Sequence, residues 1–282
     1  MIGHSVAGGE RLTWGKRTYV MGVINVTPDS FSGDGLASNV AAAVEQALRF
    51  QEEGADFIDI GAESTRPGHL PISEEEELGR LLPALEAVSG RVSIPISVDT
   101  CKSRVAGAAL ENGACVINDV WGLKADQSMA GVVAEHGAGL ILMHNQHGHR
   151  YNDLLEDIIA ALSESVDMAL SAGVSRENLA IDPGFGFGKT ADHNLELLKN
   201  LGQLKRLELP LLVGTSRKST IGRILGLPSS QRVEGTGATV ALAIAAGADI
   251  VRVHDVREMV RVCRMADAIV RGWRPDGWET AT

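Results

Sequence analysis

Eight short apolar runs in this chain each end on residues that can carry charge or form hydrogen bonds. These are Asn25, the Glu63-Ser64-Thr65-Arg66 segment, Asp99, Asn118 with Asp119, His144, Asp182, the Ser216-Arg217-Lys218-Ser219 segment, and Arg252 with His254. Taken singly, an Asp or Asn at such a place caps a helix or starts a turn. Repeated after every run, the pattern points to one polar rim. Asp99, Asn118, Asp182 and Lys218 offer acceptors and donors suited to the edge of a flat, nitrogen-rich heterocycle, which presents amino and ring N–H donors beside a carbonyl acceptor. Arg66, Arg252 and His254 form a cationic set. Guanidinium forks bind phosphate oxygens in pairs, and they also stack on aromatic planes. A bicyclic heterocycle bearing a phosphate or diphosphate would use both sets.

Two other patterns are weaker. GFGFGKT at 184–190 resembles a phosphate-binding loop, but that motif needs a glycine where Pro183 stands, so a nucleotide triphosphatase is rejected. The glycines are expected instead to let the loop pass close to a flat ligand, with Phe185 or Phe187 as a wall. His144, His147 and His149 have a spacing that could suit a metal, yet without accompanying cysteines a plain loop is the simpler reading.

The elements that must position these residues follow from periodicity. Strand-like runs at 19–26, 56–61, 94–99, 116–119, 140–144, 179–182, 211–214 and 250–254 alternate with stretches of helical spacing. Val40, Ala43, Val44, Ala47 and Leu48 share one helical face, as do Leu155, Ile158, Ile159, Leu162 and Val166. Ser73 with Glu76 has a capping-box pattern ahead of a helix starting near Glu74. Gly54, Gly113, Gly137 and Gly247 each precede a strand, where a left-handed residue ends a helix and releases the chain into the sheet. Eight βα units with no break in composition predict an α/β fold. The expectation is a single barrel over 19–272, with 1–18 as a short N-terminal capping segment over its floor and 273–282 as a C-terminal tail. Chemistry then belongs at the C-terminal ends of the strands.

Composition excludes several alternatives. With 36 acidic and 26 basic residues the net charge of −10 disfavours nucleic acid as a partner. Three scattered cysteines, Cys101, Cys115 and Cys263, suit a reducing cytoplasm and no disulfide framework. The first ten residues lack the apolar core of a signal peptide. The most apolar run, 238–248, is too short to cross a bilayer and reads as a buried, alanine-rich helix, so no membrane partner is expected.

Two segments, MGVINVTPDSFS at 21–32 and GAESTRPG at 61–68, resemble the two signatures of the dihydropteroate synthase family. Further matches are ISVDT at 96–100, INDV at 117–120, DPGFGFGK at 182–189, SRKS at 216–219 and RVHD at 252–255, in order along residues 18–270. The resemblance implies a (β/α)8 TIM barrel, paired as a cytoplasmic homodimer and acting in folate biosynthesis. The reaction implied joins 6-hydroxymethyl-7,8-dihydropterin diphosphate to para-aminobenzoate, giving 7,8-dihydropteroate and diphosphate. By the same resemblance Asp99, Asn118, Met143, Asp182 and Lys218 would hold the pterin, with Arg252 stacked on it. Asn25 would bind Mg²⁺ together with the diphosphate, while Thr65, Arg66, Arg252 and His254 would meet diphosphate oxygens. Phe31, Pro67, Phe187 and Ser219 would frame the para-aminobenzoate, which also implies a sulfonamide target. Loop one reads Ser32-Gly33-Asp34-Gly35, where many members place the aspartate directly after the serine. The alternatives are a pterin-binding methyltransferase domain, which has no need of a diphosphate-binding set, and a catalytically silent pterin-binding paralogue.

Overall fold

The computed structural model describes residues 4–7, 10–27, 36–64, 70–275 and 277–278. A two-stranded antiparallel hairpin, β1 (His4–Ala7) and β2 (Glu10–Thr13), precedes the main sheet. That sheet contains β3 (Tyr19–Asn25), β4 (Phe57–Gly61), β5 (Ile96–Asp99), β6 (Val116–Asp119), β7 (Gly139–Met143), β8 (Leu179–Asp182), β9 (Leu212–Val213) and β10 (Ile250–Val253). Its strands are parallel in the order β8-β7-β6-β5-β4-β3-β10-β9, and a bridge between Ile181 and Leu211 closes the ring. Around it run α1 (Leu36–Glu53), α2 (Glu74–Ser89), α3 (Ser103–Glu111), α4 (Met129–Glu135), α5 (Leu154–Ser171), α6 (Ala191–Lys199), α7 (Ser219–Leu225), α8 (Val233–Ala245) and α9 (Val256–Val270). This is the expected (β/α)8 barrel, with every strand within two residues of its predicted bounds at each end. β9 is one residue shorter than expected at each end; Leu211 joins the sheet only through its isolated bridge to Ile181, its N–H going to the Asp249 carboxylate.

Alternation along the strands sorts side chains into two populations. One faces the helices: Ile24, Ile58, Ile60, Val98, Ile117, Leu142, Ile181, Val213 and Val251 belong to the large apolar cluster between sheet and helices. The other points down the barrel axis. Met21, Phe57, Val116, Ile141, Ala180, Leu212 and Ile250 form an apolar plug with Tyr19, Leu12 and Trp14 at its lower end. Burying each large side chain there is worth about 1.5–3 kcal/mol. Two residues farther along on four of these strands, at Asp59, Asn118, Asp182 and Arg252, the interior becomes polar.

Helix ends follow the glycines. Gly54, Gly113, Gly137 and Gly247 have φ of +95°, +106°, +58° and +100° and follow α1, α3, α4 and α8, so the left-handed release predicted for them is what the backbone adopts. The capping box before α2 is only half made. Ser73 Oγ accepts from Glu76 N at 3.2 Å, but the Glu76 carboxylate turns along the helix to pair with Arg80. The 238–248 run also departs from expectation: α8 buries Thr236, Val240, Ala243 and Ile244, whereas Leu242 is 61% exposed. A helix on the outer ring of a barrel has only its inner stripe to bury.

Candidate active site

The polar layer above the plug is built from one inward position on each of several strands. β4 contributes Asp59, β5 Ser97, β6 Asn118, β7 Met143, β8 Asp182 and β10 Arg252, all within the closed ring of the sheet. Asp99, one inward step above Ser97, joins the same group. Arg252 bridges two carboxylates, with Nε donating to Asp59 Oδ2 at 2.6 Å and Nη2 donating to Asp99 Oδ2 at 2.7 Å. Asn118 Nδ2 donates to the same Asp59 oxygen at 3.3 Å. Asp182 Oδ1 accepts from Gly184 N at 2.7 Å, which fixes its carboxylate at the lip of β8. Lys218, the N-cap residue of α7, lies with Nζ 4.0 Å from the centroid of the Phe187 ring.

Asp59 Oδ1, Ser97 Oγ, Asp99 Oδ1 and Asn118 Oδ1 are buried without a hydrogen-bond partner, and among the described residues they are the side-chain atoms in that state. Leaving a buried polar atom unpaired costs about 1–3 kcal/mol. Four such atoms in one layer mark a surface shaped to be completed by a ligand that donates hydrogen bonds.

The electrostatics of the layer follow from burial. Burial pushes the Asp99 carboxyl up to about 7, against the pull of Arg252 and with a further push from Asp59. Asp182 is likewise raised by burial, opposed by the Gly184 N–H. Lys218 is lowered to about 8, first by burial and then by Arg252. Burial works against the Arg252 charge too, but Asp59 and Asp99 outweigh it and hold that group above the usual arginine range. His254, half-buried at the top of β10, is lowered to about 4 by burial, Arg252 and Arg217. It is therefore neutral near pH 7, with Nδ1 3.0 Å from Ser216 Oγ, and not the ready cation expected of it.

Other candidates fall into place around this layer. Asn25, half-buried at the end of β3, has Oδ1 facing Gly61 on the neighbouring strand. Ser219 is exposed at the start of α7. Phe31, Asp34, Thr65, Arg66 and Pro67 lie outside the described residues. Asp119 does not face the pocket; its carboxylate accepts from Trp121 N and Leu123 N and shapes the loop after β6. Arg217 turns away to a two-bond pair with Asp255. His144 is buried and bonded to Lys189, whereas His147 is exposed and packs on Trp121. Among the described residues no group of three His, Cys, Asp or Glu could hold a metal by itself.

The glycine loop departs from its expected role. Phe185 belongs to the core, leaving Phe187 as the wall. Gly184 and Gly188 pass close to the backbone of His144 and Gln146, and Gly186 to the Lys218 side chain, so what they accommodate is mainly the neighbouring chain. Asp59 and Ser97 were missed by the strand-end pattern because they sit inside strands. The signal was parity: Phe57, Asp59 and Gly61 share a face, and a carboxylate in an otherwise apolar strand must find a buried partner.

A model of the pterin binding enzyme family matches residues 21–254. The dihydropteroate synthase of Bacillus subtilis (strain 168) is 48% identical over 259 residues, 92% of this chain and 91% of its own. That of Escherichia coli (strain K12) is 41% identical over 257 residues, covering 89% of this chain and 91% of its own. Among solved structures, a Clostridium difficile dihydropteroate synthase in the presence of pteroic acid superposes with a TM-score of 0.90 at 48% identity, covering 92% of this chain and 98% of that one. A Xanthomonas albilineans dihydropteroate synthase with 4-aminobenzoic acid gives 0.91 at 41% identity, over 98% and 100%. The barrel and its polar layer thus define a pterin-binding barrel enzyme. Within that class, the chain belongs to the dihydropteroate synthase family.

Proposed function

We propose that this protein condenses 6-hydroxymethyl-7,8-dihydropterin diphosphate with para-aminobenzoate, releasing diphosphate and 7,8-dihydropteroate. The observation that carries the reading is the set of unpaired buried oxygens on Asp59, Asp99 and Asn118, beside the Asp182 carboxylate and Lys218. A pterin edge supplies the amino and ring N–H donors these acceptors lack, and its carbonyl suits the Lys218 ammonium. Arg252, held between Asp59 and Asp99, lies across the layer where it can stack on the ring. Met143, buried and paired in register with Asp182, would line the wall on the β7 side.

The C–O bond to diphosphate breaks and a C–N bond to the arylamine forms, with one amine proton lost to solvent. Positive charge developing on the pterin is stabilised by Asp99, Asp182 and Asp59, which are fixed before substrate arrives and need no reorganisation. The arylamine is already nucleophilic, so no activated Ser, Cys or Lys is required. His254 and Arg252, with Thr65 and Arg66 from the second signature, would receive the leaving diphosphate; an anion beside His254 favours its protonated form and so strengthens the contact. Phe187, with Phe31, Pro67 and Ser219, would frame the para-aminobenzoate, and sulfonamides would compete for that place.

Asn25 offers one hard oxygen donor, and a magnesium ion is commonly bound through one or two protein oxygens plus substrate phosphates. The donor set therefore fits Mg²⁺ arriving with the diphosphate, where it would neutralise charge on the leaving group. None of Cys101, Cys115 and Cys263 forms a disulfide, which suits a cytoplasmic protein. Exposed Ile224 and Leu225 on α7, Leu242 on α8, and Met265 and Ile269 on α9 support pairing into a homodimer through these neighbouring helices. Incubation of the protein with both substrates and Mg²⁺ tests the activity. Diphosphate release that requires para-aminobenzoate is expected. A methyltransferase domain or a silent paralogue would bind the pterin without releasing diphosphate.

A further inference from the structure

The loop between β8 and α6 carries Phe187 and contains a buried lysine that the reaction does not use. Lys189 Nζ has three N–H donors and three acceptors: His144 Nδ1 at 2.9 Å, Gly184 O at 3.1 Å and Phe187 O at 3.0 Å. Gly184, Gly186 and Gly188, with φ of +72°, +84° and +56°, turn this loop tightly. A side chain at Gly184 would collide with the His144 carbonyl and one at Gly188 with the Gln146 backbone, so the loop is packed hard on the segment after β7. Three more of its main-chain groups are held as well. Tyr151 Oη donates to Gly188 O at 2.9 Å, Gly186 N donates to Asn194 Oδ1 at 2.7 Å, and Phe187 N donates to Gly184 O at 3.0 Å. Burial holds His144 down to about 3, so its imidazole stays neutral and can accept from Lys189 Nζ, which burial lowers to about 7.

We propose that Lys189, bonded to His144 and to the carbonyl of Phe187 itself, is a positioning residue that sets the Phe187 ring for the arylamine substrate. The proposal rests on the para-aminobenzoate role given to Phe187 above. Lys189 is buried and its Nζ is engaged by His144, Gly184 and Phe187; it acts through the main chain at Phe187, whose ring in turn lies against the Lys218 ammonium. A methionine at 189 keeps the length and apolar stem but removes all three donors, freeing the carbonyl that anchors Phe187.

Steady-state kinetics of the full-length wild type, Lys189→Met, Phe187→Ala and the double variant test this. Lys189→Met is expected to raise KM for para-aminobenzoate about tenfold, with kcat and the KM for pterin diphosphate within about twofold. In the double variant the two changes should not add, because both act through one ring. Additive effects, or an equal rise in both KM values, would overturn the positioning role. If Lys189→Met does not fold, Lys189→Gln serves, since its amide has two donors for three acceptors. A rise of about threefold in the para-aminobenzoate KM is then expected, and an unchanged value would overturn the proposal. An unchanged KM in Phe187→Ala would instead remove the reading of Phe187 on which the proposal stands.

Discussion

At the scale of single residues, Arg252 and Asp59 carry the strongest consequence. Arg252→Ala would leave the fully buried Asp59 and the neighbouring Asp99 without their cation, a change that costs about 3–5 kcal/mol in comparable buried pairs. Thermal unfolding should therefore show a lowered Tm alongside weakened binding of pterin diphosphate. Adding Asp59→Asn should restore part of the Tm without restoring turnover; no recovery would mean that the pair is not what burial makes it. The pH dependence of pterin binding follows from the same layer. A pterin that donates to Asp99 prefers its carboxylate, and one that accepts from Lys218 prefers its ammonium. Affinity should rise as pH increases through about 7 and fall above about 8, the values to which burial moves these two groups. Calorimetric titration between pH 5 and 10 reads this directly, and a flat profile would contradict it. In the ligand-free protein the raised Asp99 pKa means the native state binds more protons than the unfolded chain. Its contribution to stability is then greatest at low pH and is lost as pH rises towards about 7. Asp99, Asn118, Asp182, Lys218 and Arg252 were legible because each follows or closes an apolar run. Asp59 sits mid-strand, so the strand-end pattern passes over it; parity puts it on one face with Phe57 and Gly61, and the barrel's closure makes that face the inward one.

At the scale of elements, the glycines separate conformation from space. Gly184→Ala would place a methyl 1.9 Å from the His144 carbonyl at a φ of +72°, so a loss on the order of 3 kcal/mol is expected, read as a lower denaturation midpoint. Gly131, inside α4, has nothing within 4 Å of an added methyl, and Gly131→Ala should stabilise by about 0.4–1 kcal/mol. Opposite signs from the same substitution would check the packing of both elements. The strands and the left-handed helix ends could be read from periodicity and glycine placement, since both are local properties. Which face α8 presents could not, because an alanine-rich helix has little amphipathic contrast. The partner of the Glu76 carboxylate was equally hidden, since Arg80 lies on the same helix one turn away and competes with the backbone cap.

At the scale of the whole molecule, the net charge of −10 and the chemistry of the site are separate matters. Acidic residues dominate the total, while Lys218 and Arg252 are placed at the one rim where an anionic substrate would arrive. The exposed apolar side chains of α7, α8 and α9 belong to the opposite, outer side of the barrel wall. The proposed pairing predicts that Leu242→Glu with Ile269→Glu moves the protein from dimer to monomer in sedimentation velocity, because like charges would face each other across a paired surface. A wild type that sediments as a monomer would refute the pairing. The barrel's closure brings residues 193 positions apart, Asp59 and Arg252, within hydrogen-bonding distance, and it is this closure that turns separate strand positions into one pocket. The measurement that bears most directly on the function is the product stoichiometry in a mixture of protein, pterin diphosphate, para-aminobenzoate and Mg²⁺. Mass spectrometry with a coupled diphosphate assay should show 7,8-dihydropteroate and diphosphate appearing one for one. Pterin binding with neither product formed would contradict it.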